Sequence, residues 1–178
     1  MEAVWKLRVG AEAYYLSQVA SGLDEYYTGA GEAPGVWVGS GVESLGLVGE
    51  VEPADLRAVL AGLGPGTGLT PNGTTLRAHP RRVPGFDLTF SVPKSVSVAY
   101  ALADRRVQHL IVTACEAALS ETLGWLEREA CFVRRGTNKA ENRDTWGEAW
   151  GTRRMVARGF VGAADRHRTS RAGDPHLH

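Results

Sequence analysis

Apolar and polar side chains alternate along Val4-Trp5-Lys6-Leu7-Arg8-Val9, a period of two that predicts a half-buried first strand. Ala11 to Ala20 reads as a short helix ending near Gly22, and a glycine-rich connection from Thr28 to Gly35 leads into Val36-Trp37-Val38. A helix begins at Pro53, with proline in its first turn and Gly62 near its end. After a Gly-, Pro- and Thr-rich loop from Gly64 to Thr75, the run Gly85-Phe-Asp-Leu-Thr-Phe-Ser91 alternates again. Phe86, Leu88 and Phe90 take one face of this strand, and Asp87, Thr89 and Ser91 take the other. Ser91 and Pro93 open a further helix. The longest helix follows, from about Asp104 to Ala130. Its Val107, Leu110, Ile111, Cys115, Ala118, Leu119, Leu123 and Leu126 recur at steps of three and four, as a core-facing stripe does. That pattern predicts scaffold rather than site. Cys131 to Arg135 is a strand, Gly136 to Gly147 a polar loop or hairpin, and two strands lie around Glu148–Val156 and Phe160–Arg168. Strands and helices mixed, with strands in succession at the end, predict an α+β fold built on antiparallel or mixed pairing.

Composition narrows the class without changing this picture. With 178 residues, 43% hydrophobic and 22% charged, the chain is long enough for one cored, soluble domain. No apolar run reaches the ~18 residues of a membrane span, and the start lacks the basic end and apolar centre of a signal peptide. Cys115 and Cys131 mark no disulfide framework, so a reducing, cytoplasmic setting is expected. The formal charge of zero conceals an asymmetry. Residues 1–60 carry three basic and nine acidic residues, giving −6, while residues 133–172 carry ten basic and four acidic, giving +6. Such a chain suits a polyanion held against its C-terminal half; charge on solvated strand edges is the plainer explanation.

Three groups of residues carry candidate chemistry. Tyr14-Tyr15 and Tyr26-Tyr27 place four of the five tyrosines within fourteen residues. Adjacent rings point in different directions, so one of each pair can pack while the other is presented. Asp87 is the second, because aspartate is depleted in strands and an inward carboxylate needs a partner, which a histidine or a metal would supply. The third is the closing run His167-Arg-Thr-Ser-Arg-Ala-Gly-Asp-Pro-His-Leu-His178, which holds three of the five histidines. His176 and His178 leave one face of an extended strand, and Ser-Arg-Ala-Gly-Asp-Pro is turn chemistry that would bring His167 back beside them. Converging imidazoles suit a divalent transition metal, although histidine-rich ends are also commonly disordered. Lys94, at a helix start, adds charge where backbone amides can hold a phosphate.

Taken together, the tyrosine pairs, Gly-Phe-Asp-Leu-Thr-Phe-Ser-Val-Pro-Lys-Ser-Val-Ser (85–97) and His167-Arg-Thr-Ser-Arg-Ala-Gly-Asp-Pro-His-Leu-His resemble the TrwC/TraI-type (MobF) conjugative relaxases, in the same order along nearly the whole chain. The resemblance implies an HUH endonuclease whose palm is an antiparallel sheet with helices packed against it. It implies nicking and religation of one DNA strand at a plasmid transfer origin, through a tyrosine that stays joined to the 5′-phosphate. A divalent ion such as magnesium, manganese or zinc, held by histidines, would polarise the phosphate. Carried over, Tyr14 and Tyr15 resemble the first nucleophile pair, with Tyr14 preferred, and Tyr26 and Tyr27 the pair used in later strand transfer. Asp87 resembles the carboxylate that orients a metal histidine or takes the tyrosine proton, and His167 and His178 match two metal ligands.

The third ligand of the family would stand at position 180, beyond His178, and His176 occupies a position where the family has a non-ligand. The tyrosine pairs are also further apart than in the usual pattern, and Asp165 stands where an apolar residue is usual. The implied reading is the N-terminal part of a relaxase domain over residues 1–178, truncated at its C-terminus and without the family's helicase domain. Its expected partners are single-stranded DNA at the transfer origin, accessory relaxosome proteins and a coupling protein, with no membrane insertion. Lys94, Arg168 and Arg171, followed by Arg81 and Arg82, are the expected phosphate contacts, and Trp37, Trp146 and Trp150 are candidates for base stacking, with core packing the safer assumption for them. Two alternatives are a single-strand-binding remnant that does not cut, and a rolling-circle replication initiator. The second is disfavoured by tyrosines that precede the histidines.

Overall fold

The computed structural model describes residues 3–10, 13–17, 34–66, 83–135, 153–170 and 172–178. Strand β1 (Ala3–Lys6) pairs antiparallel with β3 (Phe86–Thr89), matching Val4 with Leu88 and Trp5 with Asp87. The pairing continues one step on, where the Leu7 amide donates to Gly85 O at 3.0 Å. Strand β2 (Val36–Val38) pairs with β6 (Gly162–Ala164), and β4 (Phe132–Arg135) with β5 (Arg153–Val156), both antiparallel. Residues 13–17 are helical (α1), followed by α2 (Pro53–Ala61), α3 (Lys94–Leu102) and α4 (Arg105–Ala130). The class is α+β, with small antiparallel pairs and helices, as the order of elements predicted.

Helix boundaries follow local chemistry. Pro53 occupies the first turn of α2, and Gly62 closes it at φ 76°, a left-handed conformation that glycine adopts without a Cβ clash. The Asp104 side chain accepts from the Val107 amide at 2.9 Å, satisfying one of the orphan donors at the start of α4. The buried cluster is Val51 and Leu56, and Leu16 of α1, Trp37 of β2, Leu60 of α2 and Ala163 of β6 pack against it. Trp37 is therefore a core residue in its main role. One apolar contact, Leu16, thus fixes which way α1 faces.

Glu127 of α4 ties this cluster's loops to the long helix. Its Oε1 accepts from the backbone amides of Ser40 and Phe160, both at 2.8 Å. The two loops meet closely: Gly41 N donates to Phe160 O at 2.9 Å, and a Cβ on Gly41 would stand 2.8 Å from that oxygen. Burial pushes the Glu127 carboxyl up, but hydrogen bonds from Ser40 and Phe160 outweigh it and hold the group below its ordinary pKa.

Two expectations change, and one on β3 is met. The stripe on α4 is not buried: Leu110 is 59% exposed, Val107 and Ala118 are also exposed, and no residue of the helix is buried. Among the described residues, α3 packs on it, and its nine residues are about a third as long as the roughly 39 Å that 26 helical residues span. On β3 the alternation holds, and Asp87 faces inward as expected. Phe86 is 60% exposed, whereas Asp87 and Thr89 are half-buried, because Asp87 is drawn against α1 by a hydrogen bond. The last strands are shorter than the pattern suggests, β6 covering only Gly162–Ala164. The segment 136–147 lies outside the described residues. Among the described residues, no helix is long and apolar enough to cross a membrane.

Candidate active site

The tyrosine pair sits on α1, and Leu16 anchors that turn to the core. Consecutive helical residues diverge by about 100°, so Tyr14 and Tyr15 part company. Tyr14 is 53% exposed, whereas Tyr15 is half-buried and its hydroxyl donates to Asp87 Oδ2 at 2.8 Å. The two rings meet edge to face, with centroids 5.3 Å apart and planes at 87°. The inward carboxylate of β3 therefore finds its partner in a phenol. Among the described residues, no imidazole bonds it. Desolvation, together with the hydrogen bond and negative charge of Asp87, pushes the Tyr15 phenol up to about 12. Tyr15 is consequently harder to ionise than a free tyrosine.

The closing histidines form the expected hairpin. His167 N donates to His178 O at 2.9 Å and His178 N returns the bond to His167 O at 3.0 Å, a mutually bonded antiparallel pair. Further in, Thr169 bridges to Pro175, His176 N donates to Arg168 O at 2.8 Å, and Gly173 closes the turn at φ 82°. This geometry sets the imidazoles together: the His167 and His178 rings are 5.1 Å apart, and the His176 and His178 rings stack at 4.6 Å. His178 Nδ1 lies 3.0 Å from His176 O. A carbonyl only accepts, so Nδ1 carries the proton and Nε2 of the neutral ring keeps its lone pair.

Two donors of the kind a divalent metal takes are thus paired on adjacent strands, and in chemistry they fit such an ion. Among the described residues, no group of three His, Cys, Asp or Glu side chains is arranged to hold one.

Helix α3 holds the hairpin from both ends. Ser97, 1% exposed, accepts at Oγ from the Leu177 amide at 3.0 Å, and Val92 N donates to Leu177 O at 3.3 Å. Leu177 lies between His176 and His178 and is itself buried. Lys94 reaches the turn, pairing with Asp174 and donating to Pro175 O at 2.8 Å. Ser170 also donates to Asp174, and these two donors, Lys94 first, hold the Asp174 carboxyl down at about 2. Neither Ser97 nor Asp174 stood out in the sequence. A serine inside a helix and an aspartate before proline read as surface and turn chemistry, and only the fold brings them to one another's partners. The Asp165 carboxyl turns against Gly35, leaving no room for a Cβ there; desolvation raises its pKa, and His167 opposes the rise.

The remaining candidates are placed as follows. Arg168 is exposed beside the histidines. Tyr26, Tyr27, Arg81, Arg82, Arg171, Trp146 and Trp150 lie outside the described residues. One continuous path joins the two groups that are seen: Tyr15 bonds Asp87 on β3, β3 runs into Val92, and Val92 bonds Leu177 between the histidines.

Comparison with known proteins identifies the family. A model of the TrwC relaxase family matches residues 8–178. The metal-free structure of conjugative relaxase TrwC with oriT DNA has a TM-score of 0.70 at 28% identity, covering 98% of this chain and 52% of that chain. A metal-bound structure gives 0.70 at 30% identity, covering 98% and 53%. A copper-bound one gives 0.69 at 30% identity, covering 98% and 54%. The chain spans about half the length of these solved relaxases. No curated protein matches it significantly. The chain belongs to the TrwC relaxase family.

Proposed function

We propose that this domain nicks and rejoins single-stranded DNA at a plasmid transfer origin through a tyrosyl 5′-phosphate. The observation that carries the reading is the Tyr15–Asp87 hydrogen bond, which holds α1 on β3 and leaves its neighbour Tyr14 presented. Tyr14 is the attacking residue in this reading. Its Oη forms a bond to phosphorus while the bond from phosphorus to O3′ breaks, and the proton lost by the phenol is matched by one gained at O3′. One phosphodiester is exchanged for another, so the reverse reaction rejoins the strand. Tyr15 and Asp87 position α1, since a phenol pushed up to about 12 is a poor nucleophile at neutral pH. His167 and His178 are the residues that would hold a divalent ion, with the His178 tautomer fixed by the His176 carbonyl. Such an ion supplies Lewis acidity at the phosphate. Lys94 keeps those two histidines in place through Asp174, and Arg168 stands at their side for the DNA backbone. Tyr26 and Tyr27 serve a later transfer, and Arg81, Arg82 and Arg171 extend the phosphate track.

The test is a covalent adduct on a denaturing gel, using single-stranded oligonucleotides that carry transfer-origin sequences, with manganese. It is run on this chain and on one extended by Thr-His, which places a histidine at position 180. An adduct lost in Tyr14→Phe and kept in Tyr15→Phe is expected. An adduct unaffected by Tyr14→Phe removes the assignment of the nucleophile. A second reading, strand binding without cleavage, is favoured by the lack of a three-donor group among the described residues. It predicts salt-sensitive binding with no adduct in either chain.

A further inference from the structure

Trp5 faces Asp87 directly across the β1–β3 pair. Directly opposed residues of an antiparallel pair project to one face, with Cβ atoms about 5 Å apart. Trp5 therefore stands on the face where Asp87 receives the Tyr15 hydroxyl. Two residues on, and on the same side by alternation, Leu7 is buried, whereas the Trp5 side chain is 67% exposed. The apolar side chains Val4, Phe86 and Leu88 lie on the opposite face, so they do not account for it. The result is a large, flat, uncovered indole at the rim of a carboxylate–phenol pair.

We propose that Trp5 is a stacking platform for a nucleobase of the DNA strand presented to Tyr14 and Tyr15, an inference that rests on the proposed function. A base lies within one nucleotide's reach of its own phosphate, so a strand whose phosphate meets the tyrosines carries a base past the residue beside Asp87. The chemistry suits the place. An indole face binds any base without needing charge, so it adds affinity beside a carboxylate that offers a phosphate none. This contact is separate from the one the sequence suggested for Trp37, which packs against the buried cluster.

The experiment compares the full chain with Trp5→Ala and Trp5→Phe, measuring affinity for a dT20 oligonucleotide and for an abasic 20-mer with the same phosphates, at two salt concentrations. Trp5→Ala is expected to weaken dT20 binding about 5- to 150-fold, to leave the abasic strand unchanged and to leave the salt slope unchanged. Trp5→Phe, which keeps an aromatic face, is expected to retain most of the affinity, and thermal melts of all three chains to coincide. Equal losses on both strands, equal losses in the Ala and Phe variants, or no loss at all would overturn the platform while the proposed function stands. A wild-type chain that binds neither strand would overturn both.

Discussion

The Tyr15 hydroxyl donates to Asp87 Oδ2 at 2.8 Å, joining residues 72 positions apart. This bond turns a strand aspartate that would otherwise be an unpaired inward charge into the seat of the tyrosine helix. Replacing Asp87 by Asn removes the charge and keeps the shape. Tyr15 then titrates below its present value of about 12, but only part of the way toward 10, because desolvation is the largest cause and it remains. A raised phenol contributes stability that is fully present below pH 10 and is lost as pH rises through about 12. Absorbance at 295 nm against pH, for wild type and Asp87→Asn, measures the shift. A full return to the unperturbed value would show that Asp87 alone is responsible.

Ser97 is the next point of leverage. Changing it to Ala leaves the buried Leu177 amide without its acceptor, which costs about 1–3 kcal/mol. The same change frees the strand carrying His176 and His178. Urea unfolding is expected to show the stability loss, and calorimetric titration with manganese a weaker site. If affinity for manganese holds while stability falls, the serine supports the fold but not the histidines.

Lys94 acts on the turn. In Lys94→Gln the Asp174 carboxyl loses its strongest partner, so its pKa climbs from about 2 toward the usual range. A depressed carboxyl contributes stability that is present above its unfolded pKa and lost as pH falls through about 2, and the variant loses that contribution. Carboxyl chemical shifts followed by NMR against pH report the change directly.

Glu127→Gln leaves the Ser40 and Phe160 amides with a neutral acceptor, and a loss of about 1 kcal/mol, the difference between charged and neutral hydrogen bonds, is expected. Because the Glu127 pKa is lowered in the folded chain, its contribution stands above the unfolded pKa and fades as pH falls through the folded one. The difference in melting temperature between wild type and variant should therefore shrink in acid.

Much of this architecture was legible in the residues. Pro53 and Gly62 bracket α2, Asp104 starts α4, and Ser-Arg-Ala-Gly-Asp-Pro forms the turn its chemistry announces. Local signals of this kind survive folding because they depend on neighbours in the chain. The exposed Leu110 was not legible, since periodicity reveals which side chains share a face but not whether anything covers it. The partners of Asp87, Ser97 and Lys94 were hidden for a related reason. Each is set by contacts across 72 to 81 positions, and no spacing rule reaches so far. Reading Asp87 as a residue that needs a partner was sound, but tertiary structure supplies the Tyr15 phenol where the residues alone suggested a histidine or a metal.

The hairpin that pairs His167 with His178 closes across eleven positions, while its bond to Ser97 closes across 80. Loop-closure entropy grows with the logarithm of length, so the first closure is favoured over the second by about 2 kcal/mol. Turns of this size close within microseconds. Closure entropy thus favours bringing the two imidazoles together through their own short turn, while the contacts with α3 set where that pair stands in the fold.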